Sequence, residues 1–181
     1  MAIFIGGQKC PLCNLPMTGG AVFGTWGVWL PASDPLWKYC DAAIHWECYA
    51  TWPNRKRFAS TYFEFWVKEE ENDPFWHRAY LTDDVLVTIN PSEPIKSAWV
   101  HLKETGERIS VKLGEWEQWL ADDSKAGINP VSALAINPAK RAMKKDVATV
   151  DQLLKSIDVS RKRQVIEQFM AARSRNGKEK K

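Results

Sequence analysis

The sequence predicts an α+β fold in which a cysteine-rich N-terminal module precedes a small antiparallel meander and a helical, basic C-terminus. Three observations indicate this class. All four cysteines fall within residues 10–48. Apolar and polar residues alternate over short stretches of residues 85–113, as they do in half-buried strands. Apolar residues recur at helical spacing over residues 58–71 and again beyond residue 138, which predicts amphipathic helices.

The composition is that of an ordinary globular chain, since 45% of the 181 residues are hydrophobic and 10 are tryptophan. It excludes a disordered protein, which would be poor in aromatic and branched apolar residues. The net charge of +3 is unevenly divided, because residues 1–138 carry 12 basic and 17 acidic side chains whereas residues 139–181 carry 13 and 5. We therefore expect a cysteine module over 1–57, an α+β region packed with it over 58–126, and a basic helical hairpin and tail over 139–181.

The cysteines form a metal-ligand pattern. Cys10-Pro-Leu-Cys13 and His45-Trp-Glu-Cys48 are two pairs with two residues inside each pair and a spacer of 31 residues between them. A two-residue gap in a tight turn directs both thiolates at one point, and residues three apart on a helix share one side. Three thiolates and one imidazole are typical of a tetrahedral, structural Zn²⁺ site. Cys40 precedes His45 by five positions, which fits a shared helix face less well, and it is the substitute ligand.

The residues around the ligands favour a knuckle, a hairpin and then a ligand-bearing helix. Asp41 is suited to cap a helix that carries both His45 and Cys48, and residues 21–30 have hairpin character. Over residues 8–52 this order resembles the treble-clef zinc fingers, and the Cys-x2-Cys…His-x2-Cys order resembles the first half of a LIM domain. The resemblance implies a structural zinc ion.

The start of the chain predicts no signal peptide, because residues 1–7 lack a basic region and a long apolar stretch. The longest apolar segment, residues 21–32, is interrupted by glycine and proline and is too short to span a bilayer. We therefore expect a cytoplasmic protein with no membrane partner. Thiols stay reduced in that compartment, which favours metal ligands over disulfides.

Residues 58–71 are predicted to form a helix, and Thr61 and Glu64 have the spacing of a capping box. Three acidic residues at 69–71 would then lie at the negative end of the helix dipole. The helix therefore either continues past them, or these carboxylates face a basic group.

Strands are predicted at 85–89, 99–103 and 109–113, with a turn at 104–107 between the last two. Trp116, Trp119 and Leu120 then fit one face of a helix.

The C-terminal third is predicted to begin with turns and to continue as two helices. Asn-Pro and Gly favour turns over 126–130 and at 136–138. Apolar residues mark amphipathic helices over 147–157 and 165–170, the second with Ser160 as its N-cap.

No motif in the sequence predicts an enzyme. It contains no Gly-rich phosphate loop, no nucleophile elbow and no nucleophile with an identifiable base. His45-Trp46-Glu47 resembles one half of the zinc-deaminase signature, but the order of the halves is reversed and Cys48 supplies a fourth ligand. His77 and His101 are expected to be surface or hydrogen-bonded histidines.

Basic clusters near aromatic residues favour nucleic acid as the partner, because cations displace counterions from phosphates and rings stack on bases. The candidate phosphate contacts are Arg55, Lys56, Arg57, Arg161, Lys162 and Arg163.

The alternative function is a protein–protein adaptor or a subunit of a larger complex, which binds an acidic protein surface or uses exposed tryptophans and the C-terminal amphipathic helices. Trp37 and Trp76 lie in loop-like segments and are candidates for such interface anchors.

Overall fold

The computed structural model describes most of the chain between residues 8 and 155. The described positions are 8–17, 22–72, 75–90, 97–123, 130–155, 164 and 167. The strands are β1 (Val22–Gly24), β2 (Ala43–His45), β3 (His77–Leu81), β4 (Val85–Ile89), β5 (Ser97–Leu102) and β6 (Arg108–Lys112). The α-helices are α1 (Trp46–Thr51), α2 (Arg55–Asn72), α3 (Trp116–Ala121), α4 (Pro130–Asp146) and α5 (Val150–Leu154).

The mixture of helices with antiparallel strands confirms the predicted α+β class. Strands β3, β4, β5 and β6 form one sheet in chain order, and every neighbouring pair is antiparallel. Three of these strands match the predicted ones to within two residues at each end. β3 was not predicted, because its residues are all half-buried or exposed and give a weak alternating pattern.

The four-stranded sheet is covered by helices on both faces. One face and helices α3 to α5 share the larger core, which includes Val87, Val100, Val111, Trp116, Ile136 and Met143. The other face meets α2, where Leu86 packs with Tyr62, Phe63 and Trp66. The alternation of side chains along β4 therefore feeds two cores at once, and all five of its residues are buried.

Helix α2 begins three residues earlier than predicted, and this overturns the predicted capping box. Thr61 lies inside the helix, where its hydroxyl donates to the carbonyl oxygen of Phe58 at 3.0 Å. The acidic end of the helix contacts a basic group, which was one of the two predicted alternatives. The carboxylate of Glu70, which is buried, accepts a hydrogen bond from Nε of Arg78 at 2.7 Å.

Helix α4 runs through segments that were predicted to be turns. Pro130 is its first residue, and Pro138 lies inside it. The turn predicted at 136–138 is wrong because Ile136, Ala139 and Met143 bury one side of this helix in the larger core. Tertiary packing outweighs the local preference of Asn-Pro for a turn.

Of the helix predicted over 147–157, the structure describes residues 147–155, and in that range α5 covers Val150–Leu154. Thr149 caps it: Thr149 accepts from the backbone of Gln152, and the Gln152 side chain accepts from the backbone of Thr149. The helix predicted over 165–170 and its cap at Ser160 lie outside the described residues. No helix in the described part of the chain combines the length and apolar character needed to cross a bilayer.

The N-terminal module is built around a two-stranded pairing and aromatic packing. β1 pairs with β2, so the hairpin predicted within 21–30 is wrong: β1 finds its partner about twenty residues later. Phe23 of β1 stacks on Tyr49 of α1 with ring centres 3.8 Å apart. The hydroxyl of Tyr49 donates to the carbonyl oxygen of Thr105 at 2.8 Å, which attaches this module to the β5–β6 turn.

We expect Gly106→Ala to destabilise the protein, because Gly106 has a positive φ of 67° and a Cβ there would lie 3.2 Å from both the Cα of Ala59 and the hydroxyl oxygen of Tyr49. Left-handed backbone and this contact together predict a loss of about 1–3 kcal/mol in the free energy of unfolding. Urea denaturation measures it. Gly114→Ala is the matched control, since nothing lies within 4 Å of its added Cβ. Equal losses of stability in the two variants would show that the backbone conformation and close contact of Gly106 do not exclude a side chain.

Candidate metal centre

The first ligand pair lies on a tight knuckle. The amide of Cys10 donates to the carbonyl oxygen of Leu15 at 2.9 Å, and the amide of Asn14 donates to the carbonyl oxygen of Cys10 at 2.8 Å. Asn14 has a φ of 62°, a left-handed conformation that asparagine tolerates better than most residues. These turns fold the chain back on itself and place Cys10 and Cys13 side by side.

The second ligand pair lies where a strand turns into a helix. His45 is the last residue of β2 and the N-cap of α1, and Cys48 is in the first turn of that helix. The prediction that a helix capped by Asp41 carries both ligands is therefore wrong. Asp41 lies in the turn before β2 with a φ of 50°. The change from strand to helix after His45 lets the two ligands share one side without a common helix.

The four ligand atoms converge on one point. The three sulfur atoms and the imidazole nitrogen of Cys10, Cys13, His45 and Cys48 all lie within 4.8 Å of one another. Sγ of Cys13 and Nδ1 of His45 are 3.4 Å apart. Tetrahedral bonds to zinc of about 2.3 Å for sulfur and about 2.0 Å for nitrogen require separations of about 3.5–3.8 Å. This Cys3His group can bind a metal ion, and the donor set fits zinc with only a small contraction.

The electrostatics of the group favour a cation at its centre. Burial disfavours the thiolate of Cys10, but hydrogen bonds from the backbone of Cys13, His45 and Leu12 outweigh it and lower the pKa of Cys10 to about 7. Burial, a hydrogen bond with Cys13 and the charge of Cys10 raise the pKa of Cys48 to about 12. Burial and the neighbouring thiols of Cys10 and Cys13 therefore favour the protonated thiol of Cys48. A divalent cation bound between the ligands would instead favour its thiolate.

The first turn of α1 also connects the ligands to the apolar interior. Trp46 and Tyr49 are buried and pack on Phe23, whereas the intervening Glu47 is exposed and Cys48 is half-buried. One side of this turn therefore contributes a ligand to the sulfur cluster, and the opposite side packs in the aromatic core. Cys40, the substitute ligand predicted from the sequence, is not part of the converging group and packs half-buried against this core.

The first basic cluster is engaged in ion pairs. Arg55 donates to the carbonyl oxygen of Glu104 at 2.9 Å and pairs with its carboxylate at 3.3 Å, and only 13% of the Arg55 side chain is exposed. Lys56 pairs with the same carboxylate at 3.4 Å, and Arg57 pairs with Asp34. Lys56 and Arg57 nevertheless keep 76% and 54% of their side chains exposed. Sequence reasoning missed both acidic partners, since each lies more than twenty residues away along the chain.

The second basic cluster, Arg161, Lys162 and Arg163, lies outside the described residues. The expectation for His101 is confirmed, because it is buried and its Nε2 lies 3.3 Å from Oγ1 of Thr88. Of the two tryptophans expected as surface anchors, Trp37 is exposed and Trp76 is half-buried. Trp26, which no sequence pattern singled out, is exposed as well.

Comparison with known proteins adds no relative: no protein-family model, curated protein or solved structure matches this chain. The candidate site is therefore characterised by its own chemistry. Its residues form a compact Cys3His cluster on a knuckle and a strand–helix junction, next to an aromatic core. Such a cluster can hold one metal ion between two segments that are distant in the sequence.

We expect Cys48→Ser to weaken the binding of Co²⁺, a spectroscopic substitute for zinc, by more than about a hundredfold. Changes to groups that only support a ligand already cost 10- to 100-fold, and this change removes a ligand itself. The thiolate-to-cobalt absorption band measures the affinity. Cys40→Ser is the matched control, a half-buried cysteine outside the cluster, and should leave the band unchanged. If the two variants exchanged these outcomes, Cys40 would be the ligand.

Proposed function

We propose that the protein is a non-catalytic binding module stabilised by a structural zinc ion. The observation that carries this proposal is the convergence of three sulfur atoms and one imidazole nitrogen within 4.8 Å. The knuckle, the β1–β2 pair and the helix α1 follow one another in the order of a treble-clef finger. A zinc ion held by all four ligands would join the knuckle to α1.

A binding role is favoured over catalysis by the number of ligands. Four protein ligands fill the coordination of zinc and leave no position for a reactive water, whereas catalytic zinc sites keep one position open. A reducing, cytoplasmic location belongs to the same proposal, since it keeps three thiols available to the metal.

Nucleic acid is the partner that we propose first. Lys56 and Arg57 are exposed although they are ion-paired. Exposed ion pairs contribute little to stability, so a phosphate could replace their carboxylate partners at small cost. Residues 139–181 carry 13 basic and only 5 acidic side chains, and Arg161, Lys162 and Arg163 belong to this surplus. Such a surplus attracts a polyanion.

The alternative function, a protein–protein adaptor, is favoured by a different observation. Large apolar side chains of the N-terminal module are exposed to solvent: Leu15, Trp26, Val28 and Trp37. Exposed tryptophans of this kind are frequent anchors of protein interfaces. An adaptor of this type would bind its partner with little dependence on salt.

A titration of the full chain with a labelled single-stranded oligonucleotide tests the nucleic-acid proposal. Five of the six candidate phosphate contacts, without the largely buried Arg55, predict that raising the salt concentration fourfold weakens binding by about a hundredfold. Removing zinc with a chelator should unfold the N-terminal module and thereby weaken binding. No binding at low salt would overturn the proposal and leave the adaptor.

A pair of matched variants assigns the phosphate contacts. The double variant Lys56→Ala/Arg57→Ala should reduce the slope of log affinity against log salt by about 1.4, which corresponds to two phosphates on a single strand. Lys112→Ala is the control. Like Lys56, Lys112 is exposed and forms an ion pair, but its partner is Glu115 and it lies at the end of β6, away from the basic cluster in the sequence. An unchanged slope in the double variant would exclude these two side chains as contacts.

A further inference from the structure

Three indole rings surround the guanidinium group of Arg108. Its central carbon lies 4.1 Å from the ring centre of Trp99, 4.5 Å from that of Trp66 and 4.8 Å from that of Trp76. All three distances are within the range of cation–π attraction, about 6 Å. We call these four residues the arginine cage. Its members come from β5, α2, the residue before β3, and β6, so it exists only in the folded chain.

The Nε of Arg108 has no hydrogen-bond acceptor among the described residues. Arg108 makes no ion pair and donates no hydrogen bond to any residue that the structure describes, and its Nε is buried without a partner. Burial lowers its pKa to about 10, so the group still carries its charge at neutral pH. The rings attract the guanidinium through their π faces, but its N–H donors still require oxygen or nitrogen acceptors. A desolvated donor without an acceptor is costly, and this one is charged.

A second polar group beside the cage is also incompletely paired. His101 is 2% exposed, its ring centre is 5.1 Å from that of Trp66, and its Nδ1 has no hydrogen-bond partner among the described residues. Burial, and next the charge of Arg108, lower the pKa of His101, so the imidazole is neutral. Two neighbouring side chains thus have unused hydrogen-bonding capacity.

An exposed ring extends the cage to the surface. Trp26 stacks on Trp66 with ring centres 5.5 Å apart and planes 19° from parallel, and 48% of Trp26 is exposed. Trp76 and Trp99 are half-buried and meet edge to face. Flat apolar rings and a planar cation therefore lie together, and part of this surface is open to a ligand.

We propose that the arginine cage and Trp26 form a binding site for single-stranded nucleic acid, in which a base stacks on an indole and a phosphate or base oxygen accepts hydrogen bonds from Arg108. This inference rests on the proposed function and adds a site to it. Aromatic platforms combined with arginine are a general means of binding single strands, whose base faces are free to stack. The planar fork of arginine suits both phosphate and the edge of guanine.

The charge around the site predicts its salt dependence. Arg78 is paired with Glu70, whereas Arg108 is the cation over the indole rings of the cage among the residues that the structure describes. The contribution of the cage therefore comes mainly from stacking, with one phosphate contact, and accounts for a salt slope of only about 0.7. This separates it from the basic clusters, whose contribution is steep in salt.

Fluorescence anisotropy of the full chain with labelled single-stranded DNA and RNA 12-mers tests the site. Trp26→Ala should weaken binding by roughly 5- to 150-fold, the usual loss for one stacking ring. Trp37→Ala is the matched control, since this ring is exposed to a similar extent but lies outside the cage, and it should leave affinity unchanged. Arg108→Gln should weaken binding and reduce the salt slope by about 0.7. Arg108→Lys should also bind less well, because lysine keeps the charge but lacks the planar fork.

The outcomes separate this inference from the function on which it rests. If the unmodified chain binds no single strand, the proposed function fails. If it binds, and Trp26→Ala and Arg108→Gln bind as well as Trp37→Ala, the site is overturned while the function stands. If poly-glutamate displaces the oligonucleotide from the unmodified chain but not from Arg108→Gln, the cage binds protein carboxylates and the inference is overturned. If circular dichroism shows that Arg108→Gln is unfolded, the test of the site depends on Trp26→Ala alone. The Trp26 side chain is about half exposed, so its removal should leave the fold intact.

Discussion

The N-terminal module depends on one constraint, the convergence of four ligand atoms from two distant segments. Its regular elements are too short to be stable alone: β1 and β2 have three residues each, and α1 has six. Isolated helices and strand pairs of this length are not stable in water. A metal ion bound by Cys10, Cys13, His45 and Cys48 would close the loop of 31 residues between the pairs and supply the stability that a small core lacks.

Helix α1 connects the ligand cluster to the remainder of the fold. Tyr49 follows Cys48 directly, and its hydroxyl reaches the carbonyl oxygen of Thr105 in the β5–β6 turn. Gly106 in the same turn lies close to Tyr49 and to Ala59 of α2. The sheet, the long helix and the cysteine module therefore meet at one corner. A change in the position of α1 would disturb the turn that separates the two strands carrying Trp99 and Arg108.

What the sequence predicts well is what short-range geometry determines. The two-residue gaps within the ligand pairs, the alternation in β4 and the apolar stripe of α2 are local patterns, and each led to the observed element. The positions of the helix start at Arg55 and of His45 at the end of β2 depend on tertiary packing, and those predictions were wrong in detail. Pro138 shows the same limit: its local preference predicts a turn, but burial of the neighbouring Ile136 and Ala139 keeps the segment helical.

The side chains that sequence reasoning missed become neighbours only through strand register and helix docking. Arg108 pairs with His101 across β5 and β6, and α2 adds Trp66 from another layer. The acidic partners Asp34 and Glu104 reach the basic cluster at the start of α2 in the same way. No sequence motif predicts these contacts, because they depend on the register of β5 and β6 and on packing between residues more than twenty positions apart, such as Trp66 and Arg108.

The most direct test of the central claim is X-ray absorption at the zinc edge, measured on the full chain as purified. A closed Cys3His site predicts one zinc ion with three sulfur neighbours at about 2.3 Å, one nitrogen neighbour at about 2.0 Å and no oxygen neighbour. A folded protein without zinc, or a zinc ion with an oxygen neighbour in place of one of these ligands, would contradict it.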